Sequence, residues 1–172
     1  MRILRALFPI VMMIAVIYGL YQFIFLPFLN PTVTVAHVID GDTLLIKDGK
    51  KLQEVQLIGV DAPEEVGEYN VPQCFSEEAR HTMAEYLAKN PQVRVAKDDK
   101  LTDKDTGGRL LRYVYLKSGE LLNEKVLKDG LARQFVTLNV KYKFQDQMAK
   151  DETDAQQKGL GVWNPQGCRG VF

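Results

Sequence analysis

Asp40, Asp42, Asp61 and Glu64 fall within 25 residues, in two short runs: Val38-Ile39-Asp40-Gly41-Asp42-Thr43 and Val60-Asp61-Ala62-Pro63-Glu64. Hard cations such as Ca²⁺ take oxygen ligands, and a metal-assisted hydrolase also needs a carboxylate left free to handle water. The stretch between the runs reads as β-strand, so strand pairing can bring the two turns together and supply both needs. Asp40-Gly41-Asp42 alone is more often a plain turn than a site; its partnership with Asp61 and Glu64 gives it weight. An EF-hand is excluded, because no glutamate completes the loop that would start at Asp40. His37, in a strand, and His81, on a helix, stand in no metal-ligand spacing and read as structural.

The elements that must position these residues follow from pattern. Val33, Val35 and Val38 alternate with polar neighbours, predicting a half-buried strand over 32–39. A second strand runs from Thr43 to Lys47, Asp48-Gly49 signals a hairpin, and Gln53 to Val60 returns as the third strand. A helix is expected over 76–89, capped by Ser76, with Glu77 and Glu78 at its positive end and Ala79, Met83, Tyr86 and Leu87 as its apolar stripe. Val93 to Lys97 and Leu110 to Leu116 read as two more strands. Helices follow over 120–129, closed by Gly130, and over 141–158, closed by Gly159; Trp163 is expected to anchor the segment beyond. Five strands and about three helices make an α+β domain, an OB-fold barrel with packed helices, a type that often faces oligonucleotides.

The sequence holds 172 residues, 46% hydrophobic and 26% charged, which is globular and argues against general disorder. The formal charge is zero, with 22 basic and 22 acidic residues. Arg2 and Arg5 precede a run from Ala6 to Pro31 that carries no charge, and no Lys or Arg follows until Lys47. About 20 apolar residues span a bilayer as a helix, and the positive-inside bias places the start in the cytoplasm. Residues 1–30 are therefore expected to be a single-pass membrane anchor with an extracytoplasmic domain over 31–172. A cleaved signal sequence, giving a secreted protein, is the alternative; Ile24-Phe25-Leu26-Pro27-Phe28-Leu29 lacks the small residues of a cleavage site. Without residues 1–30 the chain has 20 basic and 22 acidic residues, a poor footprint for coating nucleic acid but compatible with a local basic cleft around Arg109. Cys74 and Cys168 lie in the exported part, where a pair of cysteines reads as one disulfide, two free thiols being the alternative. With no histidine nearby, the two cysteines argue against zinc.

Ile39-Asp40-Gly41-Asp42-Thr43, Val60-Asp61-Ala62-Pro63-Glu64, Thr102-Asp103-Lys104, Gly108-Arg109, Tyr113-Val114-Tyr115, Leu122-Asn123, Gly130-Leu131-Ala132 and Gly159-Leu160-Gly161-Val162-Trp163 occur in this order. Their order and spacing resemble the staphylococcal nuclease (thermonuclease) family over about Val33 to Trp163. The resemblance implies an OB-fold and Ca²⁺-dependent cleavage of DNA or RNA phosphodiesters, with little sequence preference. It implies Asp42 and Asp61 as metal carboxylates, the Ala62 carbonyl as a further ligand where threonine is commoner, and Asp40 as an outer carboxylate. Glu64 corresponds to the catalytic glutamate that handles water, and Arg109 to one of two catalytic arginines. Gln56 stands where the family has the other arginine.

A phosphodiester resists attack because its own charge repels nucleophiles; a cation and an arginine fork offset that charge, and arginine grips two oxygens at once. With glutamine at 56 one charge is missing, and Arg94, Arg112, Lys50 and Lys51 are the cations that could compensate. The reading is a membrane-tethered, monomeric, Ca²⁺-dependent nuclease weakened at Gln56. The alternatives are a non-hydrolytic nucleic-acid or protein-binding module on the same barrel, and an adaptor that keeps only the fold.

Overall fold

Val33, Val35 and Val38 do point inward from β1 (Thr32–Val38), and a bulge between Val35 and His37 explains why the last step of the alternation is three residues instead of two. The computed structural model describes residues 2–20, 31–66, 71–137 and 139–172. The chain divides into two compact units, Met1–Thr32 and Val33–Phe172. Among the described residues the first holds the helix α1 (Arg2–Leu20), whose apolar side chains from Val11 to Leu20 are largely exposed. Among the described residues no helix is long and apolar enough to cross a membrane. Tyr21, Phe23, Phe25 and Phe28, the aromatic half of the expected anchor, lie outside the described residues.

Among the described residues the second unit is a closed five-stranded barrel with three α-helices. β2 (Thr43–Asp48) and β3 (Lys51–Leu57) form the hairpin around Gly49, with Asp48 opposite Lys51. After β4 (Val60–Asp61) comes α2 (Ser76–Ala88), then β5 (Gln92–Ala96), β6 (Leu110–Tyr115), α3 (Leu122–Lys128), β7 (Arg133–Gln134) and α4 (Gln145–Lys158). The barrel runs β1-β2-β3-β6-β5, with β3 and β6 parallel and the paired neighbours β1–β2, β2–β3 and β5–β6 antiparallel. Leu44, Ile46, Val55, Leu57, Val93 and Val114 fill its interior, each worth about 1.5–3 kcal/mol on burial. Fully buried Asn123 laces the parallel pair: its Oδ1 accepts from Val114 N–H at 2.9 Å, and its Nδ2 donates to the carbonyls of Ile58 at 3.0 Å and Arg112 at 3.2 Å. A buried amide satisfied on both ends stabilises where an orphaned one would not.

Four expectations need correction. The third strand does not reach Val60: it stops at Leu57, Gly59 turns at φ 75°, and β4 leaves the barrel to pair with β7. Ser76 does not cap α2; it is buried, and Phe75 precedes the helix in a left-handed conformation that sends its ring onto the core. The second domain helix is two turns long, because Leu121 stays extended and pairs with Tyr115. The last begins at Gln145 instead of Lys141: Tyr142 packs beneath Gly59, where a Cβ would lie 2.6 Å from its hydroxyl, and Lys143 N–H donates to Asp98 Oδ2 at 2.8 Å. Trp163 ends a short 3₁₀ turn (Gly161–Trp163), and its ring lies against Gly170. Cys74 and Cys168 are joined in a disulfide, their Cα atoms 5.7 Å apart, tying the entry to α2 to the segment after Trp163.

Candidate active site

The turn between β1 and β2 is built by its first carboxylate. Asp40 Oδ1 accepts the N–H groups of Asp42 at 2.9 Å and Thr43 at 2.7 Å, and Ile39 N–H closes onto the Thr43 carbonyl at 3.0 Å. This is the side-chain-to-backbone pattern that lets aspartate shape a turn. Gly41 is needed for another reason: a Cβ there would come within 2.7 Å of Ala62 Cβ and 3.2 Å of Ala79 Cβ. Its absence lets the Asp-Gly-Asp turn settle against both the Asp-Ala-Pro-Glu turn and α2.

Asp42 is the consequence of that close approach. It is 5% exposed; Oδ2 accepts Ala62 N–H at 2.9 Å and Oδ1 lies 2.9 Å from Thr43 Oγ1. Burial, with the charge of Asp40 second, pushes its pKa up to about 8, against the pull of the Ala62 N–H. Thr43 Oγ1 also lies 2.9 Å from Gln56 Oε1, and its single proton serves one acceptor at a time. Gln56 Nε2 reaches the Val60 carbonyl at 3.5 Å. The Arg109 Nη1 is 3.4 Å from the same threonine oxygen, so Thr43 stands between the glutamine and the arginine.

Arg109 is held before any ligand arrives. Asp105 accepts its backbone N–H at 2.9 Å and its Nε at 2.7 Å, a double grip across the turn at Gly107-Gly108. Burial works against its charge, but the bond and charge of Asp105, with Asp42 and Asp40 behind, raise its pKa. Glu64 stands on the rim, its backbone tied to Gln73 by bonds of 2.7 and 2.9 Å. Partial desolvation first, then Asp40 and Asp61, raise its pKa, and Arg109 opposes them. A carboxylate with a raised pKa is the stronger base.

Asp42, Gln56, Asp61, Glu64 and Arg109 all line one cavity of about 590 Å³, with Tyr142 and Phe135 on its apolar wall. Asp40 and Ala62 do not line it; they act from behind, through the bonds to Asp42 already described. Among its walls are four carboxylates, Asp42, Asp61, Glu64 and Asp105, against two cations, Arg109 and Lys104. The lining is thus acidic in balance. Among the described residues no three acidic, histidine or cysteine side chains converge on one point. The cavity's carboxylates, with the amide of Gln56 and the hydroxyls of Thr102, Thr106, Thr137 and Tyr142 around them, are hard oxygen donors of the kind that suit Ca²⁺ or Mg²⁺. The donor set therefore fits a hard divalent ion.

Two groups at the site have no signal in the sequence pattern. Arg133, on β7 opposite Asp61, donates Nη2 to Asp61 Oδ2 at 2.9 Å. Tyr142 floors the cavity, accepting from Gln134 Nε2 at 2.8 Å and donating to the Phe135 carbonyl at 3.0 Å; burial pushes its pKa up to about 12. The compensating cations do not reach the cavity walls. Arg112 is buried on Asp103 at 2.8 Å, Arg94 lies over the Tyr115 ring, Lys50 lies in the hairpin turn and Lys51 opens β3.

With this geometry in view, the chain compares with known proteins as follows. Residues 54–165 match the family described as staphylococcal nuclease homologue. The chain belongs to the staphylococcal nuclease family. It is 39% identical over 135 residues to a thermonuclease of Staphylococcus hyicus, covering 77% of this chain and 76% of that protein. It is 41% identical over 131 residues to a thermonuclease of Staphylococcus intermedius, covering 75% and 74%. A Bacillus subtilis protein named endonuclease YncB is 35% identical over 137 residues, covering 78% of this chain and 63% of its own length.

Proposed function

We propose that this chain is a Ca²⁺-dependent nuclease that hydrolyses phosphodiester bonds of DNA or RNA in the cavity between the two acidic turns. The observation that carries the reading is that cavity: it gathers Asp42, Asp61 and Glu64 with a pre-held Arg109, from segments up to 67 residues apart. Family membership and thermonuclease relatives support nuclease chemistry.

Asp42 and Asp61, which line the cavity, are the groups that would hold the ion, and Ala62 supports Asp42 from behind through its N–H. When bound, it supplies positive charge to the phosphate oxygens and overcomes the repulsion of an acidic site. Asp40 fixes the turn that aims Asp42. Arg109, gripped through Nε by Asp105, presents its remaining N–H groups to a phosphate and offsets charge that develops on it. Glu64, with its raised pKa, accepts a proton from the attacking water. Gln56 donates an uncharged hydrogen bond where a second arginine would place a charge, so turnover is slow compared with a two-arginine site. Lys104 adds a second cation on the wall.

The test is digestion of single-stranded DNA by the purified full chain in detergent, with Ca²⁺ and with chelator, beside Glu64→Ala. Cleavage that requires Ca²⁺ and falls with Glu64→Ala is expected; rates no higher than the variant's would refute the reading. The glutamine in the cavity favours a second reading, a module that binds nucleic acid or protein without cleaving; efficient cleavage by the unmodified chain removes it.

The placement is also part of the proposal: a single-pass anchor over 1–30 with the nuclease domain outside the cytoplasm, and a monomeric domain. Support comes from the uncharged run Ala6 to Pro31 and the exposed apolar side chains of α1. Retention in the membrane fraction after alkaline carbonate is expected, and release into the supernatant would contradict the anchor.

A further inference from the structure

The Asp61 carboxylate is asymmetric. Its Oδ2 accepts Arg133 Nη2 at 2.9 Å, while among the described residues no hydrogen bond reaches Oδ1. The two residues face each other in the short β4–β7 ladder, so the pair is set by backbone register as well as by charge. Arg133 is itself fixed from the other side: its guanidinium lies 3.9 Å from the centre of the Phe172 ring. Phe172 belongs to a segment tied down twice, by the Cys74–Cys168 disulfide and by Gly170, whose N–H donates to the Val162 carbonyl at 2.6 Å beneath the Trp163 ring.

We propose that Arg133 is a positioning residue for the metal site, holding Asp61 by Oδ2 so that Oδ1 is presented to the cation, with Phe172 fixing the guanidinium in that place. The inference rests on the nuclease reading above and adds a residue that reading does not use. Groups that orient a ligating carboxylate govern metal affinity, and losing one typically costs about 10–100-fold. A cation beside a metal site also repels the metal, so the two effects have opposite signs and can be told apart. If Arg133 acted only as a charge, its removal would tighten Ca²⁺ binding. If it served only the fold, its removal would lower the melting temperature and leave Ca²⁺ affinity alone.

The experiment is Ca²⁺ titration by calorimetry on the full chain in detergent, for wild type, Arg133→Gln, Arg133→Lys and Phe172→Ala, each checked for fold by circular dichroism. Arg133→Gln is expected to weaken Ca²⁺ binding about tenfold. Arg133→Lys, which keeps a cationic donor, should return to within about threefold of wild type, and Phe172→Ala should weaken binding a few-fold. Equal or tighter binding by Arg133→Gln, or no recovery in a folded Arg133→Lys, overturns the role of the pair. Unchanged affinity in Phe172→Ala overturns the part given to the ring. A wild type that binds no Ca²⁺ instead refutes the metal reading itself, so the two failures are distinguishable.

Discussion

Replacing Gln56 by arginine tests the missing charge directly. Gln56 sits on β3 opposite Thr43, lines the cavity, and touches the hydroxyl that Arg109 Nη1 approaches at 3.4 Å. A guanidinium there lies on the same wall as Arg109, among carboxylates that offset its charge. A charge-assisted hydrogen bond to a phosphate oxygen contributes about 1.5–3 kcal/mol. If it is made chiefly in the transition state, this is a rise in kcat of roughly ten- to a hundredfold at about 1.4 kcal/mol per factor of ten. That is below the range of about 10³–10⁵ for a fully pre-organised arginine, because Asp105 grips Arg109 through both its backbone N–H and its Nε, a hold not built for a new guanidinium at 56. The cost is the Gln56–Thr43 hydrogen bond, about 1 kcal/mol of stability, read as a small fall in melting temperature. The assay is steady-state cleavage of a fluorescent oligonucleotide at saturating Ca²⁺, with Gln56→Lys alongside as a charge without the fork. A folded Gln56→Arg protein with unchanged or lower kcat refutes the argument that residue 56 faces the scissile phosphate.

Gly41→Ala should destabilise by about 1–3 kcal/mol in urea denaturation, since its methyl would enter the 2.7 Å gap to Ala62, and should weaken Ca²⁺ binding by spreading the two turns. In chelator, the raised pKa of Asp42 makes the folded state the better proton binder between about 4 and about 8. Stability should therefore fall as pH rises through that window, a melting curve series measures it, and added Ca²⁺ should raise the melting temperature more at pH 8.5 than at pH 6. Reducing the Cys74–Cys168 bridge, which closes a loop with 94 residues of separation, should lower stability by up to about 4–5 kcal/mol in the chain-entropy account. Guanidinium unfolding with and without reductant gives the difference.

The acidic turns, the hairpin at Gly49 and the five barrel strands are legible in the sequence because each depends on local chemistry: period-two alternation, turn residues, and glycines at φ 60° and close approach. β4 and β7 are not, since two-residue strands carry no period, and their pairing joins residues 72 positions apart. Arg133 has no local signal for that reason. The helix expected from Lys141 failed on tertiary grounds: Tyr142 fills the space that Gly59 leaves, and Lys143 satisfies the buried Asp98. The cap at Ser76 failed in the same way, where burying Phe75 and closing the disulfide at Cys74 outweigh a capping bond. The place of Gln56 in the cavity, by contrast, follows from the register Val55-Gln56-Leu57 against Leu44 and Thr43.

The proposed nuclease chemistry turns on Glu64, which shares a cavity with Asp42, Asp61 and Arg109 and is assigned the water that cleaves a phosphodiester. Single-turnover cleavage of one defined oligonucleotide at saturating Ca²⁺ by wild type and Glu64→Gln tests it most directly, with Ca²⁺ affinity measured on both. A rate lower by about 10²–10⁴-fold in Glu64→Gln at nearly unchanged Ca²⁺ affinity is expected. Equal rates, with both proteins folded and loaded, would contradict it.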